Sequence, residues 1–159
     1  MPQGVYEATE VVPPTVVPGA MRDYEPGDRA LLASWVGAFV DEAEPPGPVG
    51  NPADWVDRRM DDPDGGIVLW DDGGATSLAS FGSPTPTGIR VGMVYTPPAH
   101  RSHGYASALT AALTARLLAG GRERVFLFTD LANATSNRIY RRIGYRRVGD
   151  VIALTFARA

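Results

Sequence analysis

The residues best placed to do chemistry lie in one short loop, Arg101-Ser102-His103-Gly104-Tyr105-Ala106. An apolar run, Ile89 to Tyr95, precedes it and is closed by Pro97 and Pro98. Prolines carry no N–H, so a strand must end there. After Gly104 the apolar period turns helical, with Leu109, Ala112, Leu113 and Leu117 on one face and Gly120-Gly121 as the stop. Strand, glycine-containing loop and helix N-terminus form a layout that holds phosphate. Unpaired N–H groups converge there, and the helix dipole adds about half a positive charge. At Gly104 a Cβ would obstruct close approach of the backbone to an anion; the plainer reading is an ordinary loop glycine.

A second segment stands one helix and one strand further on: Asn133-Ala-Thr-Ser136-Asn137-Arg-Ile-Tyr140-Arg-Arg-Ile-Gly144-Tyr145. The first loop resembles the R-x-x-G-x-A pattern with which the GNAT superfamily of N-acetyltransferases grips the pyrophosphate of acetyl-CoA. The second resembles the N-x-x-A-x-x-x-Y-x-x-x-G-[FY] segment of the same superfamily, with Ser136 where Ala is usual. The resemblance covers about the last 75 residues closely, and the stretch from about Val16 as a pattern of elements.

The resemblance implies a set of site residues. Strands 89–96 and 125–129 would splay apart, and the pantetheine arm of acetyl-CoA would lie in the gap against the backbone of Val94, Tyr95 and Thr96. The N–H groups of Arg101, Ser102, His103, Gly104, Tyr105 and Ala106 would take the pyrophosphate as an anion nest. Acetyl transfer to an amine needs the amine held near the acetyl carbon, an N–H donor for the oxyanion and a proton for the departing thiolate. Tyr140 would supply that proton, since a phenol of pKa ~10 and a thiol of ~8.5 are close enough for transfer; its other reading is a packed helix tyrosine. Asn133 and Asn137 would meet the pantetheine amides, although Asn133 is equally a helix N-cap. Arg141 and Arg142 reach CoA phosphates or are simply solvated. No motif marks the general base. Glu42 and Glu44, ending the first long helix, are the candidates for the acceptor pocket, against plain solvent exposure.

The elements needed to position these residues can be read in order. Val5–Val12 reads as extended, followed by a polyproline-like connector through Pro13, Pro14 and Pro18, so residues 1–16 are expected to be an extended leader or linker. An alternative is that they keep the last strand of a missing first domain, as in tandem GNAT proteins. The acetyltransferase domain is expected over 17–159. Its first strand is Val17–Asp23. Helices follow at Arg29–Ala43, with Leu31, Leu32, Trp35, Val36, Phe39 and Val40 in 3.6 period, and at Asp54–Met60. Strands at Gly66–Trp70, Ala75–Ser83 and Ile89–Tyr95 form a meander through Asp72-Gly73-Gly74 and Ser83–Gly88. The central helix, the strand Val125–Thr129, the helix Asn133–Ile143 and strands Tyr145–Val148 and Val151–Phe156 complete it. The order β-α-α-β-β-β-α-β-α-β-β predicts an α/β fold with a mixed, mostly antiparallel central sheet and helices on both faces.

Composition excludes several classes. The 159 residues contain no cysteine, hence no disulfide, no thiolate nucleophile and no cysteine-based zinc site. His100 and His103 lie too close together to make a metal site alone. No apolar run approaches the roughly 18 residues of a membrane span, and MPQGVYEATE lacks the features of a signal peptide; a cytoplasmic protein is expected. Charge is asymmetric. Residues 1–100 carry 5 arginines against 15 acids, and residues 101–159 carry 10 arginines against 3 acids. Either these are solvated faces, or a basic half serves a phosphate-rich cosubstrate and an acidic half faces a cationic acceptor. Nucleic acid is disfavoured, with pI about 5.3 and no basic stripe. The expected activity is acetyl-CoA-dependent transfer to a small-molecule or peptide amine in a ternary complex, without a metal, in a chain that could act as a homodimer. The alternative is a non-catalytic acyl-CoA-binding module.

Overall fold

Turn chemistry and alternation build the first half of the sheet. In the computed structural model, which describes residues 2–42 and 49–152, the meander forms as expected: β3 (Gly66–Asp71), β4 (Ala75–Gly82) and β5 (Gly88–Tyr95). With β1 taken as Pro2–Ala8 and β2 as Ala20–Asp23, the remaining strands are β6 (Arg124–Asp130) and β7 (Arg146–Ile152). The helices are α1 (Arg29–Glu42), α2 (Pro52–Asp61), α3 (Tyr105–Ala119) and α4 (Ala134–Arg142). Helix α2 starts earlier than its apolar pattern implies, because the Asn51 side chain accepts from the N–H groups of Ala53 and Asp54 and Pro52 fits the first turn.

The strands make one seven-stranded sheet in the order β2-β3-β4-β5-β6-β1-β7. Every neighbouring pair is antiparallel except β5 and β6. Period two sorts the core into two clusters. Ile67 and Leu69 of β3 pack with Leu32, Trp35 and Val36 of α1 and Val56 of α2. Val68 and Trp70, pointing the other way, share a cluster with Leu109 and Leu113 of α3 and with Tyr6, Ile143 and Tyr145. Each fully buried aliphatic side chain contributes about 1.5–3 kcal/mol, so both faces of the sheet are anchored by apolar burial. Trp35 and Trp70 are core residues, each 8% exposed.

Two of the expected elements differ. The extended stretch expected at Val5–Val12 is a strand earlier in the chain, Pro2–Ala8, and it forms an inner strand of this sheet rather than a leader or linker. β1 pairs with β6 from Gln3↔Asp130 to Ala8↔Val125, and with β7 from Pro2↔Ile152 to Glu7↔Arg146. The physical reason is its alternation: Gly4, Tyr6 and Ala8 face the α3 core, and Tyr6 is fully buried. The connector then crosses that face, with the Val12 N–H donating to the Ile143 carbonyl and the Trp70 indole donating to the Pro18 carbonyl. At the other end, Tyr145–Val148 and Val151–Phe156 were expected as separate strands; one strand, β7, runs to Ile152, and 153–159 lie outside the described residues. Because β1 fills the place beside β6, β7 pairs with β1 alone. The observed order therefore gains a strand at the front, and among the described residues one strand, β7, closes it.

Candidate active site

The ladder between β5 and β6 stops early. Its register covers Gly88↔Arg124, Ile89↔Val125 and Arg90↔Phe126, although both strands continue, to Tyr95 and Asp130. Beyond Arg90 the two strands separate, leaving backbone groups of β5 without a strand partner on that side. A bulge in β5 assists the divergence: Ala79↔Val94 and Phe81↔Val91 set one extra residue in β5 against β4. The Ser80 hydroxyl accepts the N–H of Met93 there, at 3.0 Å. Gly92 belongs to the same packing, since a Cβ on it would lie 2.7 Å from the Ser80 hydroxyl. The opening is a cleft of about 1240 Å³, larger than the usual ~300–1,000 Å³ for ligand sites.

At the mouth stands the loop read from the sequence. Ser102 and Gly104 both take left-handed φ, 66° and 83°, which turns the chain sharply into α3. The first helical bond runs from the Ala108 N–H to the Gly104 carbonyl, so the N–H groups of Tyr105, Ala106 and Ser107 have no acceptor within the helix. Val94, Tyr95, Thr96, Arg101, Ser102, Gly104, Tyr105 and Ala106 all line the cleft. Two details of the expected nest change. The Arg101 N–H is engaged by the Pro98 carbonyl at 3.3 Å. The His103 ring is held by the Arg101 and His100 carbonyls through Nδ1 and stacks on Tyr105, outside the cleft lining.

Helix α4 forms the opposite wall. Tyr140 lines the cleft and meets Tyr145 edge-on, with ring centroids 6.1 Å apart. Burial alone pushes its phenol up to about 12, so it holds its proton throughout the neutral range. Tyr145 is pushed up further by burial, its hydroxyl bonded to that of Thr114 at 2.7 Å. Asn133 also lines the cleft, but its side chain acts as the N-cap of α4 and accepts the Ser136 N–H at 3.0 Å. Asn137 is not brought to the cleft. It is 7% exposed and donates to the Asp130 and Leu131 carbonyls, bracing the β6–α4 turn. One turn of helix places Asn137 on the face toward that turn, which the motif spacing alone does not distinguish from the cleft face.

Glu42 reaches the rim from the end of α1 and lines the cleft. Its carboxylate accepts from the Arg101 guanidinium at 2.6 Å and from the Tyr95 hydroxyl at 3.0 Å. Arg101 also donates to the Thr96 carbonyl at 2.8 Å, so Glu42, from its place in the cleft lining, ties α1 to the donor loop. Burial and then the Glu42 bond raise the Tyr95 phenol. Glu44 falls outside the described residues.

Several cleft residues escaped the sequence reading, two arginines among them. Arg59 of α2 and Arg90 of β5 line the cleft on the sheet face opposite α3. The available signal was Arg90 itself, a lone charge inside the apolar run Gly88–Tyr95. Among the described residues no group of three His, Cys, Asp or Glu side chains could hold a metal ion, and no helix is long and apolar enough to cross a membrane.

A family model described as FR47-like protein matches residues 79–152, which span the cleft from β4 to β7. Solved structures share the fold. A protein assigned to the GNAT family from Novosphingobium aromaticivorans DSM 12444 is 24% identical with TM-score 0.71, covering 94% of this chain and 60% of that one. A transcriptional regulator from Bacillus halodurans C-125 is 19% identical with TM-score 0.72, covering 87% of this chain and 99% of that one. A GCN5-related N-acetyltransferase from Sphaerobacter thermophilus is 20% identical with TM-score 0.70, covering 94% of this chain and 49% of that one. The chain thus spans about half to three-fifths of the first and third of these proteins. No curated protein matches it in sequence.

Proposed function

We propose that the chain is a GNAT-type, acetyl-CoA-dependent N-acetyltransferase acting on a primary amine by direct transfer in a ternary complex, a reading supported by the FR47-like match and the shared fold. The observation that carries this reading is the β5–β6 ladder, which ends at Arg90↔Phe126 and opens a cleft beside the N-terminus of α3. A resident disulfide or metal is not needed for it.

The residues fit the cosubstrate in kind. The backbone of Val94, Tyr95 and Thr96 has no β6 partner and faces the gap that a pantetheine arm would enter, although the Tyr95 and Thr96 carbonyls already accept from Ser77 and Arg101; the N–H groups at the start of α3 suit a pyrophosphate. Acetyl-CoA supplies an activated acyl carbon and a thiolate leaving group. Arg101, held by Glu42 and Thr96, keeps the loop in register and adds positive potential at its mouth. Tyr140 holds a proton at the cleft wall. At about 12, its phenol is a weaker acid than an exposed one; the same desolvation makes a thiolate in that cleft more basic, which narrows the gap. The raised phenol is also the observation that favours the competing reading, a non-catalytic acyl-CoA-binding module.

Mass spectrometry of an amine panel incubated with the protein and acetyl-CoA separates the two. N-acetylated product, with kcat falling ~10²-fold in Tyr140→Phe and acetyl-CoA affinity kept, supports the enzyme. Tight acetyl-CoA binding with no product from any amine supports the module.

A further inference from the structure

The two arginines on the open face of the sheet have no role in that mechanism. Ile89 and Val91 point into the α3 core, so alternation sends Arg90 to the other face. Its guanidinium lies 4.3 Å from the Phe128 ring centroid, and its Nε is buried without a hydrogen bond. Arg59 comes down from α2 over the Trp55 ring, 5.7 Å from its centroid, and its Nε is likewise buried and unbonded. The remaining contacts of Arg59 are long, 3.4 Å to Asp62 Oδ2 and 3.4 Å to the Phe81 carbonyl. Gly82, paired with Arg90 across β4 and β5, leaves the space that Arg59 Nη1 fills; a Cβ there would collide with it.

Such a pair is costly for the folded chain. A desolvated cation without a partner is unfavourable, and two side by side repel. Burial lowers the Arg90 pKa and Arg59 lowers it further, consistent with two like charges sharing one desolvated place. An apolar side chain at either position would pack on Phe128 or Trp55 at no such cost. Among the described residues, Asp62 is the sole carboxylate in contact with the pair, and it meets only Arg59.

We infer that Arg59 and Arg90 form an anion subsite, so that the acceptor is an amine bearing a carboxylate or a phosphate, held on the open face with its amine toward the β5–β6 gap. This rests on the N-acetyltransferase reading. Position separates it from the cosubstrate's phosphates. Arg90 stands at the closed end of the gap, five residues before Tyr95, a strand length of roughly 16 Å at ~3.3 Å per residue, and the donor loop follows Tyr95 at the open end. Aromatic rings of Phe39, Trp55 and Phe128 line the same side and suit the body of a small amine. The acidic balance of the first half of the chain suggested a cationic acceptor; at the closed end of the cleft the charges on this face are Arg59 and Arg90, while the Glu42 carboxylate lies at the rim paired with Arg101.

The test uses matched amines with the full-length chain. Phenylalanine is compared with phenylalaninamide, and 2-aminoethyl phosphate with ethanolamine, in calorimetry with and without acetyl-CoA and in steady-state acetylation. The anionic member of one pair or both is expected to bind and react better, the two pairs distinguishing carboxylate from phosphate. In Arg90→Gln and Arg59→Gln that preference should fall roughly 10- to 100-fold, in KM rather than kcat, with acetyl-CoA affinity unchanged. The melting temperature of Arg90→Gln should not fall, because a purely structural arginine would lose contacts whereas an unpaired one relieves a strain. Equal use of the neutral or cationic members, loss of acetyl-CoA binding in the variants, or a lowered melting temperature with preference intact each overturns the assignment. If the wild type fails to bind acetyl-CoA, the enzyme reading fails by itself, and anion binding measured without acetyl-CoA still decides the subsite.

Discussion

Alkaline titration gives a quantitative check on Tyr140. Burial pushes its phenol up to about 12, against ~10 in an unfolded chain. The neutral form is thus favoured on folding, and the unfolded chain loses its proton first. The contribution is fully present below about pH 10 and is lost as pH rises toward 12, for a total of about 3 kcal/mol. Near pH 11 roughly half is gone, about 1.4 kcal/mol, while near pH 9 almost none is. Urea unfolding of the wild type and Tyr140→Phe at about pH 9 and pH 11 isolates this share, because Tyr145, also raised by burial, titrates in both proteins. The wild type is expected to lose about 1.4 kcal/mol more than the variant across that interval. Ultraviolet absorbance should show one phenolate fewer forming above pH 10 in the variant. If both proteins lose stability in parallel, the phenol is solvated, and its place on the cleft wall does not perturb it.

Other outcomes can be stated briefly. Gly104→Ala places a Cβ at φ 83° and 3.0 Å from Val17, so stability should fall by about 1 kcal/mol and acetyl-CoA affinity roughly tenfold by calorimetry; an unchanged Kd would mean the loop is not the anchor. Ser80→Ala strands the Met93 N–H at the bulge and should cost about 1–3 kcal/mol in denaturant unfolding, whereas a neutral change would show that water replaces the hydroxyl. Tyr6→Ala removes a fully buried ring and should cost about 3–5 kcal/mol, with faster hydrogen exchange along Arg146–Ile152; β7 exchange that is unaltered would show that β7 holds without β1.

Local rules carried the reading where partner and pattern lay in the same stretch. Asp72-Gly73-Gly74 and the alternation around it gave β3 and β4, and Pro97-Pro98 ended β5 at Tyr95. The Arg101–Ala106 loop was legible because its glycine and the helix after it fix the backbone locally. Three features were not, each because it depends on residues far away in the chain. Tyr6 marks an inner strand only once β6 and β7 exist on either side of it. The bonds of Glu42 to Arg101 and Tyr95 could not be read because nothing near it in sequence announces them as partners. Asn137 and Tyr140 sit in one motif, but which faces the cleft is set by how α4 rests on β6.

The inner place of β1 has a consequence for how the molecule comes to be folded. Its partners on β6 are more than a hundred positions later in the chain, and β7 can join the sheet only through β1. Such distant pairing closes slowly, since ordering of the chain precedes the contacts that reward it. Until it closes, β6 presents a free edge carrying Phe126 and Phe128, flanked by a vacant slot one strand wide. Residues 9–19 form a tether long enough to swing β1 away from its own body. Refolding should therefore be concentration-sensitive: at high protein levels the slot does not discriminate between its own first strand and one offered by a neighbouring copy, and strand exchange competes with closure.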